Sequence, residues 1–185
     1  MVVERQEREV MTIKYLVKKA QRGDEKAFLS LFHQYEEDIY RTAFVYVKNQ
    51  NDALDIVQET AYRSFSKINT LKNPQYFKTW LIKITINAAL DFLRKEKKVI
   101  HLKPEMTELI PTQEIDLSLS ITLRDIMENL TEKEKSIVLL KYYYNHSFTE
   151  ISSILELPLG TVKSVIYRAL EKLRTHLKEE DICEN

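Results

Sequence analysis

Glycine, proline and cysteine are all scarce in this chain of 185 residues. It contains 2 glycines and 4 prolines, whereas average usage is roughly 7% glycine and 5% proline. Because tight β-turns and phosphate-cradling loops depend on glycine, the scarcity nearly excludes a β-rich fold and a P-loop. The single cysteine, Cys183, leaves no disulfide framework and no cysteine-based metal site. We therefore expect an all-α protein of the reducing cytoplasm.

Net charge and long apolar runs are also lacking. The 28 Lys and Arg residues balance 28 Asp and Glu residues, so any nucleic-acid surface has to be a local patch. The longest unbroken apolar run covers only residues 43–47, far short of the ~20 residues of a membrane span. The 4 histidines are scattered singly and suggest surface residues rather than ligands. We expect no membrane insertion, no metal, no cofactor and no enzymatic activity.

The apolar pattern predicts two small helical domains joined by a flexible linker. The first domain covers 12–96, after a polar extension through Met11 that we expect to be frayed. Its predicted elements are a short helix over 15–21, one long helix over 28–47, a third over 54–68, a polar loop over 69–73 and an apolar fourth helix over 77–95. The pattern lapses over 97–118, which contains two prolines and predicts the linker.

The second predicted domain, residues 119–180, carries the signals of a helix-turn-helix. It opens with a helix expected over 119–130. Thr131 with Glu134 then gives the pattern of a capping box, which begins a helix expected to run through Tyr144. Ser147 with Glu150 repeats the pattern and begins a short helix expected over 147–155. The next turn leads to a last helix with Pro158 at its first position. A short helix, a turn and a longer helix form a DNA-reading arrangement.

The last helix is amphipathic and basic on its polar side. At ~100° per residue, its apolar side chains from Val162 to Leu177 fall within an arc of about 140°. The opposite face presents Lys163, Ser164, Tyr167 and Arg168. Cations suit phosphates and guanine edges, and hydroxyl and aromatic groups suit bases, so this face predicts major-groove binding. An ordinary solvated face is the alternative.

The helix over 77–98 has a second basic surface. Its polar strip consists of Thr79, Lys83, Asn87, Asp91 and Arg94. Asn87 is suited to read a base edge while the cations hold phosphate. The loop over 67–73 just before it is suited to hold an extruded base, although an ordinary connector is the alternative.

The segment over 24–60 is acidic and should avoid DNA. Within and just beyond it, helical spacing predicts an exposed stripe opposite Leu54, Val57 and Ala61. The members of this stripe are Asp55, Gln58, Glu59 and Tyr62. Such a stripe suits a basic helical partner, and a solvated acidic face is the alternative.

Three motifs occur in a specific order and spacing. They are DALDIVQET at 52–60, FKTWLIKITINAALDFLR at 77–94 and FTEISSILELPLGTVKS at 148–164. They resemble, in turn, region 2.2, regions 2.3 and 2.4, and region 4.2 of the extracytoplasmic-function (ECF) group of bacterial sigma-70 family sigma factors. The resemblance covers nearly the whole chain after residue 12.

The resemblance implies three partners: core RNA polymerase, contacted at the β′ clamp helices and the β flap, promoter DNA, and an anti-sigma factor. It implies polymerase binding by Asp55, Gln58, Glu59 and Tyr62. It implies minus-10 contacts by Asn69, Thr70, Leu71, Lys72, Lys83, Asn87 and Arg94, and minus-35 contacts by Thr161, Lys163, Ser164, Tyr167 and Arg168. Val165 stands where many relatives carry arginine, so no contact is assigned to it.

A stand-alone helix-turn-helix regulator is the competing hypothesis, because the end of its chain would look the same. Such a regulator usually needs a dimer interface, and no heptad seam is present. It would also leave the second basic helix and the acidic stripe unexplained.

Overall fold

The computed structural model describes residues 2–100, 127 and 129–183, with side-chain surroundings for 11–96, 127 and 129–175. Regular structure in these ranges is entirely helical, which confirms the all-α prediction. The chain divides into two compact units, Met1–Lys98 and Val99–Asn185. No helix in the described ranges has the length and apolar character to cross a membrane.

The first unit consists of five α-helices joined by short turns. They are α1 (Val2–Ala20), α2 (Glu25–His33), α3 (Glu36–Val47), α4 (Gln50–Lys67) and α5 (Phe77–Ile100). Gly23 has a φ of 90° in the turn after α1, a conformation that favours glycine. Asp24 then begins α2, because its carboxylate accepts a hydrogen bond from the Ala27 backbone N–H.

Two predictions about the first half of this unit are wrong. The residues expected to be frayed are helical, since α1 begins at Val2. The long helix predicted over 28–47 is two helices, because the chain turns at Gln34 and Tyr35. The apolar spacing continued through the turn and concealed it, since residues on both sides of the turn face the same core.

The first residues of the predicted linker, 97–100, are helical. Helix α5 continues to Ile100, through the first residues of the range assigned to the linker. The rest of that range, 101–118, lies outside the described residues, as does nearly all of the helix expected over 119–130.

Aromatic and aliphatic side chains form the core of the first unit. One cluster of this core consists of Val17, Ala20, Phe28, Leu31, Phe32, Ile39, Val57, Ile68, Leu71, Phe77 and Leu81. The Phe28 ring lies 5.1 Å from that of Phe65, and the Tyr35 ring lies 5.7 Å from that of Phe77, measured between centroids. Full burial of one such large side chain stabilises the fold by about 1.5–3 kcal/mol. The Tyr35–Phe77 contact holds the start of α5 against the turn between α2 and α3, and the Phe28–Phe65 contact joins α2 to α4.

The second unit is built from two capping boxes and a helix-turn-helix. Over 129–183 its α-helices are α6 (Glu132–Val138), α7 (Phe148–Leu155) and α8 (Leu159–Cys183). The Thr131 hydroxyl accepts from the Glu134 N–H while the Glu134 carboxylate accepts from the Thr131 N–H, and Ser147 and Glu150 repeat the exchange. Both predicted capping boxes are confirmed.

Two details of the second unit differ from the prediction. The helix expected to run as far as Tyr144 changes at Val138, after which Leu139–Tyr143 wind as a π-helical turn. Pro158 lies one residue before α8 instead of at its first position, and its carbonyl accepts from the Val162 N–H at 3.1 Å.

A partly buried ion pair ties the start of α6 to α8. The Glu134 side chain is 8% exposed, and its Oε2 accepts from Lys172 Nζ at 2.9 Å. Burial opposes ionisation of Glu134, but the hydrogen bonds from Lys172 and Thr131 outweigh it, so the pKa of Glu134 lies below its ordinary value. The carboxylate therefore stabilises the folded unit while it remains ionised.

We predict that this pair makes the second unit sensitive to acid. A depressed pKa gives stability that is present above the unfolded-state pKa and is lost as pH falls through the folded-state pKa. The variant Glu134→Gln should be less stable at neutral pH and should lose less stability on acidification. Thermal unfolding between neutral pH and about pH 3 measures both effects. The variant Glu171→Gln, at an exposed position of the same unit, is the control; an unchanged acid response in Glu134→Gln would contradict the prediction.

Candidate nucleic-acid interface

Helix α4 presents the predicted acidic stripe to solvent. Asn49 begins the helix, because its side chain accepts from the backbone N–H groups of Asn51 and Asp52. All four stripe residues are exposed: Asp55, Gln58, Glu59 and Tyr62. Burial raises the pKa of Asp52, and the negative charge of Asp55 raises it further. The stripe is therefore an accessible surface, acidic along one edge.

Leu54 was predicted to lie in the core, and this is wrong, because 43% of its surface is exposed. The buried face of α4 consists of Ala53, Ile56, Val57, Thr60 and Ser64. The Thr60 hydroxyl donates to the Ile56 carbonyl at 2.7 Å, and the Ser64 hydroxyl donates to the Thr60 carbonyl at 2.6 Å. Because both hydroxyls have hydrogen-bond acceptors within the helix, Thr60 and Ser64 can be buried. The buried face of α4 is therefore centred on these residues, and Leu54 lies beside the exposed stripe.

Arg63 joins α4 to α5 through an ion-pair network. Its Nε donates to Glu59 Oε1 at 2.7 Å, and its Nη1 donates to Asp91 Oδ2 at 2.7 Å. Arg94 Nη1 donates to the other Asp91 oxygen at 2.8 Å. The hydrogen bond from Arg63 is the largest cause that holds the pKa of Asp91 below its ordinary value. No local pattern in the sequence indicates a role for Arg63, which lies 28 residues before Asp91.

This network borders a shallow cleft of about 170 Å³ between α4 and α5. The cleft is lined by Asp55, Ile56, Glu59, Arg63, Ala88, Asp91, Phe92 and Lys95. Two stripe residues and part of the α5 strip therefore border a single depression.

The polar strip of α5 runs along one side of that helix. Its residues recur at spacings of three and four, which brings them to one face. Asn87 and Arg94 are exposed, whereas Thr79, Lys83 and Asp91 are half-buried. The opposite side is buried at Leu81, Ile84 and Ala88. The predicted division of α5 into a core face and a polar strip is thus observed.

The loop before α5 is exposed at its polar residues and anchored at an apolar one. Asn69, Thr70 and Lys72 are exposed. Leu71, predicted to contact DNA, is only 6% exposed and belongs to the core of the unit. That assignment is wrong, since the Leu71 side chain anchors the loop instead of facing a ligand.

The side chain of Gln21, the first residue after α1, forms hydrogen bonds to the backbone at both ends of this loop. Its Nε2 donates to the Ile68 carbonyl at 3.1 Å and to the Leu71 carbonyl at 2.9 Å. The two acceptors lie 47 and 50 residues further along the chain. No local pattern in the sequence signals such a contact.

We predict that Gln21→Leu loosens the loop without unfolding the unit. The substitution removes the side-chain donor from the Leu71 carbonyl and one of the two donors from the Ile68 carbonyl, which still accepts from the Leu71 N–H at 3.2 Å. This loss costs about 1–2 kcal/mol. Amide hydrogen exchange should become faster for residues 69–72 and stay unchanged in α4. Gln34→Leu is the matched control, because the exposed Gln34 amide donates to the Ser30 carbonyl within the same helical turn at 3.1 Å. Equal exchange in the loop of both variants would contradict the role of Gln21.

Helix α8 separates a buried apolar face from an exposed basic face, as predicted. Val162, Val165, Ile166 and Ala169 are buried. Lys163, Ser164, Tyr167 and Arg168 are exposed, and Thr161 is half-buried. Tyr167 has 68% of its surface exposed, which is high for an aromatic residue on a packed helix. Val165 belongs to the buried face, so it lies away from the candidate DNA surface.

Comparisons with known proteins identify the two units. The family Sigma-70 region 2 matches residues 31–99, and the family Sigma-70, region 4 matches residues 120–173. The RNA polymerase sigma factor SigV of Bacillus subtilis (strain 168) is 38% identical over 148 residues, covering 80% of this chain and 89% of the relative. The ECF RNA polymerase sigma factor SigW of the same organism is 32% identical over 184 residues, covering 91% of this chain and 98% of the relative.

A solved structure has the same fold. It is the sigma factor RpoE in complex with the anti-sigma factor NepR from Bartonella quintana. The TM-score is 0.66 at 21% sequence identity, with 83% of this chain and 98% of that chain covered.

The two family matches and the identity to full-length relatives show that the chain is a sigma factor of the sigma-70 family. Within that family it belongs to the ECF group. It functions as an alternative sigma factor in transcription initiation, and sigma factors as a family are not enzymes. The hypothesis of a stand-alone regulator is set aside, because it gives no account of the region 2 match.

Proposed function

We propose that the exposed stripe on α4 binds core RNA polymerase at the clamp helices of the β′ subunit. The stripe residues Asp55, Gln58, Glu59 and Tyr62 lie on one side of a helix whose opposite side is fully buried. Exposed carboxylates complement a basic partner and guide its approach. Leu54, beside the stripe, supplies apolar surface that docking can bury. This combination of acidic and apolar groups is the observation that carries the proposal.

The double variant Gln58→Ala, Glu59→Ala should weaken the affinity for core polymerase by at least about 10-fold, the loss typical of a central interface contact. Its thermal stability should stay nearly unchanged, because both side chains are exposed. Titration of labelled protein with core polymerase measures the affinity, and Glu25→Ala with Gln34→Ala removes the same residue types elsewhere as a control. A large drop in thermal stability would show instead that the two residues support the fold.

We assign the minus-10 element to the strip on α5 and the loop before it. The proposed contacts come from Asn69, Thr70, Lys72, Lys83, Asn87 and Arg94. Asparagine suits base edges and the cations suit phosphates, while the exposed loop groups surround an extruded base. Flipping a base costs a few kcal/mol. Stacking and hydrogen bonds within the polymerase complex offset this cost without nucleotide hydrolysis.

We assign the minus-35 element to α8. Its exposed face offers Lys163 and Arg168 for phosphates and guanine edges, and Thr161, Ser164 and Tyr167 for polar and methyl contacts. The buried face of α8 fixes this surface to α6 and α7, which together form the helix-turn-helix support.

Run-off transcription with core polymerase over a genomic fragment library tests both DNA assignments. The wild-type protein should select defined start sites that share two upstream elements. The double variant Lys163→Gln, Arg168→Gln should lose dependence on the minus-35 element, whereas Lys133→Gln, Arg174→Gln, which removes equal charge from the same unit, should retain it. Unaltered promoter choice in the first variant would refute the assignment of α8.

The remaining proposals concern organisation and control. We propose domains over 12–96 and 119–180 with a tether over 97–118, whose first four residues continue helix α5. We also propose a second polymerase contact between the domain over 119–180 and the β flap. We also propose that an anti-sigma factor covers these surfaces until a signal removes it. This last proposal draws on the RpoE structure, which was solved with an anti-sigma factor. We place the site of action in the cytoplasm, because polymerase and promoter DNA meet there.

A further inference from the structure

The proposed minus-10 surface contains a carboxylate, which is the wrong charge for DNA. Asp91 lies one helical turn after Asn87 and one turn before Arg94 on α5. An unneutralised carboxylate there repels phosphates and retains the nearest cation. Arg94 is 69% exposed, yet it already donates to Asp91 Oδ1 at 2.8 Å. A second cation is needed if Arg94 is to leave Asp91 for a phosphate.

Arg63 supplies that second cation from the neighbouring helix. Its Nη1 lies 2.7 Å from Asp91 Oδ2, so each oxygen of the carboxylate has its own guanidinium donor. The Arg63 side chain is only 23% exposed and is held a second time by Glu59 at 2.7 Å. A guanidinium fixed on two sides keeps its position when Arg94 moves, because it does not depend on Arg94 for contact.

We propose that Arg63 is a positioning residue for promoter binding. It neutralises Asp91 from α4 and thereby makes Arg94 available to the DNA backbone. The inference rests on the minus-10 role proposed for α5. It also explains how an acidic residue can lie within a DNA-binding strip.

The test measures binding of holoenzyme to a labelled promoter fragment, the strongest one selected by the wild-type protein in run-off transcription. In Arg63→Gln, Arg94 remains with Asp91 and the affinity should fall about 3- to 10-fold at moderate salt, with a smaller loss at high salt. Adding Asp91→Asn removes the charge that Arg63 neutralises. The double variant should therefore return to within about 2-fold of the wild-type affinity.

The double variant separates this role from a purely structural one. Both Arg63→Gln and the double variant lack the ion pair between α4 and α5, so the two variants should have similar thermal stability. Their DNA affinities should nevertheless differ. DNA affinity that follows thermal stability, or a double variant that binds as weakly as Arg63→Gln, would overturn the proposal, as would wild-type affinity in Arg63→Gln.

Arg41→Gln is the matched control. Arg41 pairs with Glu37 four residues earlier on α3, as Arg63 pairs with Glu59 on α4. Its loss should leave promoter affinity within about 2-fold of wild type, because Arg41 lies on α3, outside the proposed DNA surface. Core polymerase affinity is measured separately for every variant, and DNA binding is measured with polymerase saturating. If the wild-type holoenzyme itself selects no promoter, the proposed function fails; if it does and Arg63→Gln matches it, only the inference about Arg63 fails.

Discussion

The structure depends on a constraint that acts on each functional helix: one face has to be buried for the fold while the other remains accessible to a partner. Helix α4 meets it with Ile56 and Val57 inside and the acidic stripe outside. Helix α8 meets it with Val162 and Ile166 inside and a basic face outside. Since apolar burial supplies the stability, the outward residues can be chosen for recognition with little effect on folding.

This constraint explains which features the sequence predicted well. The face of α8 and both capping boxes were recovered, because helical spacing and cap patterns are local signals. Leu54 was misassigned because the buried face of α4 includes Thr60 and Ser64, whose hydroxyls bond to backbone carbonyls within the helix. A prediction from hydropathy places Thr60 and Ser64 on the exposed side, so it assigns the buried side of α4 to the wrong set of residues. Leu71 was misassigned because its neighbours Asn69, Thr70 and Lys72 are polar and exposed, so the sequence does not indicate that the Leu71 side chain is buried.

Contacts between segments distant in the chain could not be predicted from the sequence. Gln21 reaches backbone carbonyls 47 and 50 residues away, and Arg63 reaches Asp91 across 28 residues. Each contact exists only because segments distant in the chain pack in a particular arrangement, which periodicity within one helix does not determine. Both contacts support predicted site residues instead of joining them. The sequence therefore predicts which residues face outward for recognition, whereas the contacts that hold those residues in place are visible only in the fold.

The balance of charge suggests why such positioning matters. With 28 cationic and 28 anionic residues, the whole chain provides no long-range attraction to DNA. The acidic stripe and the basic strip instead occupy neighbouring helices, so their fields partly cancel beyond about 10 Å. Arg63 lies at the boundary, bonded to Glu59 on the acidic side and to Asp91 on the basic side. Under the proposed function, polymerase covers the carboxylates of the stripe and so removes their repulsion of DNA, which ties promoter recognition to prior assembly with polymerase.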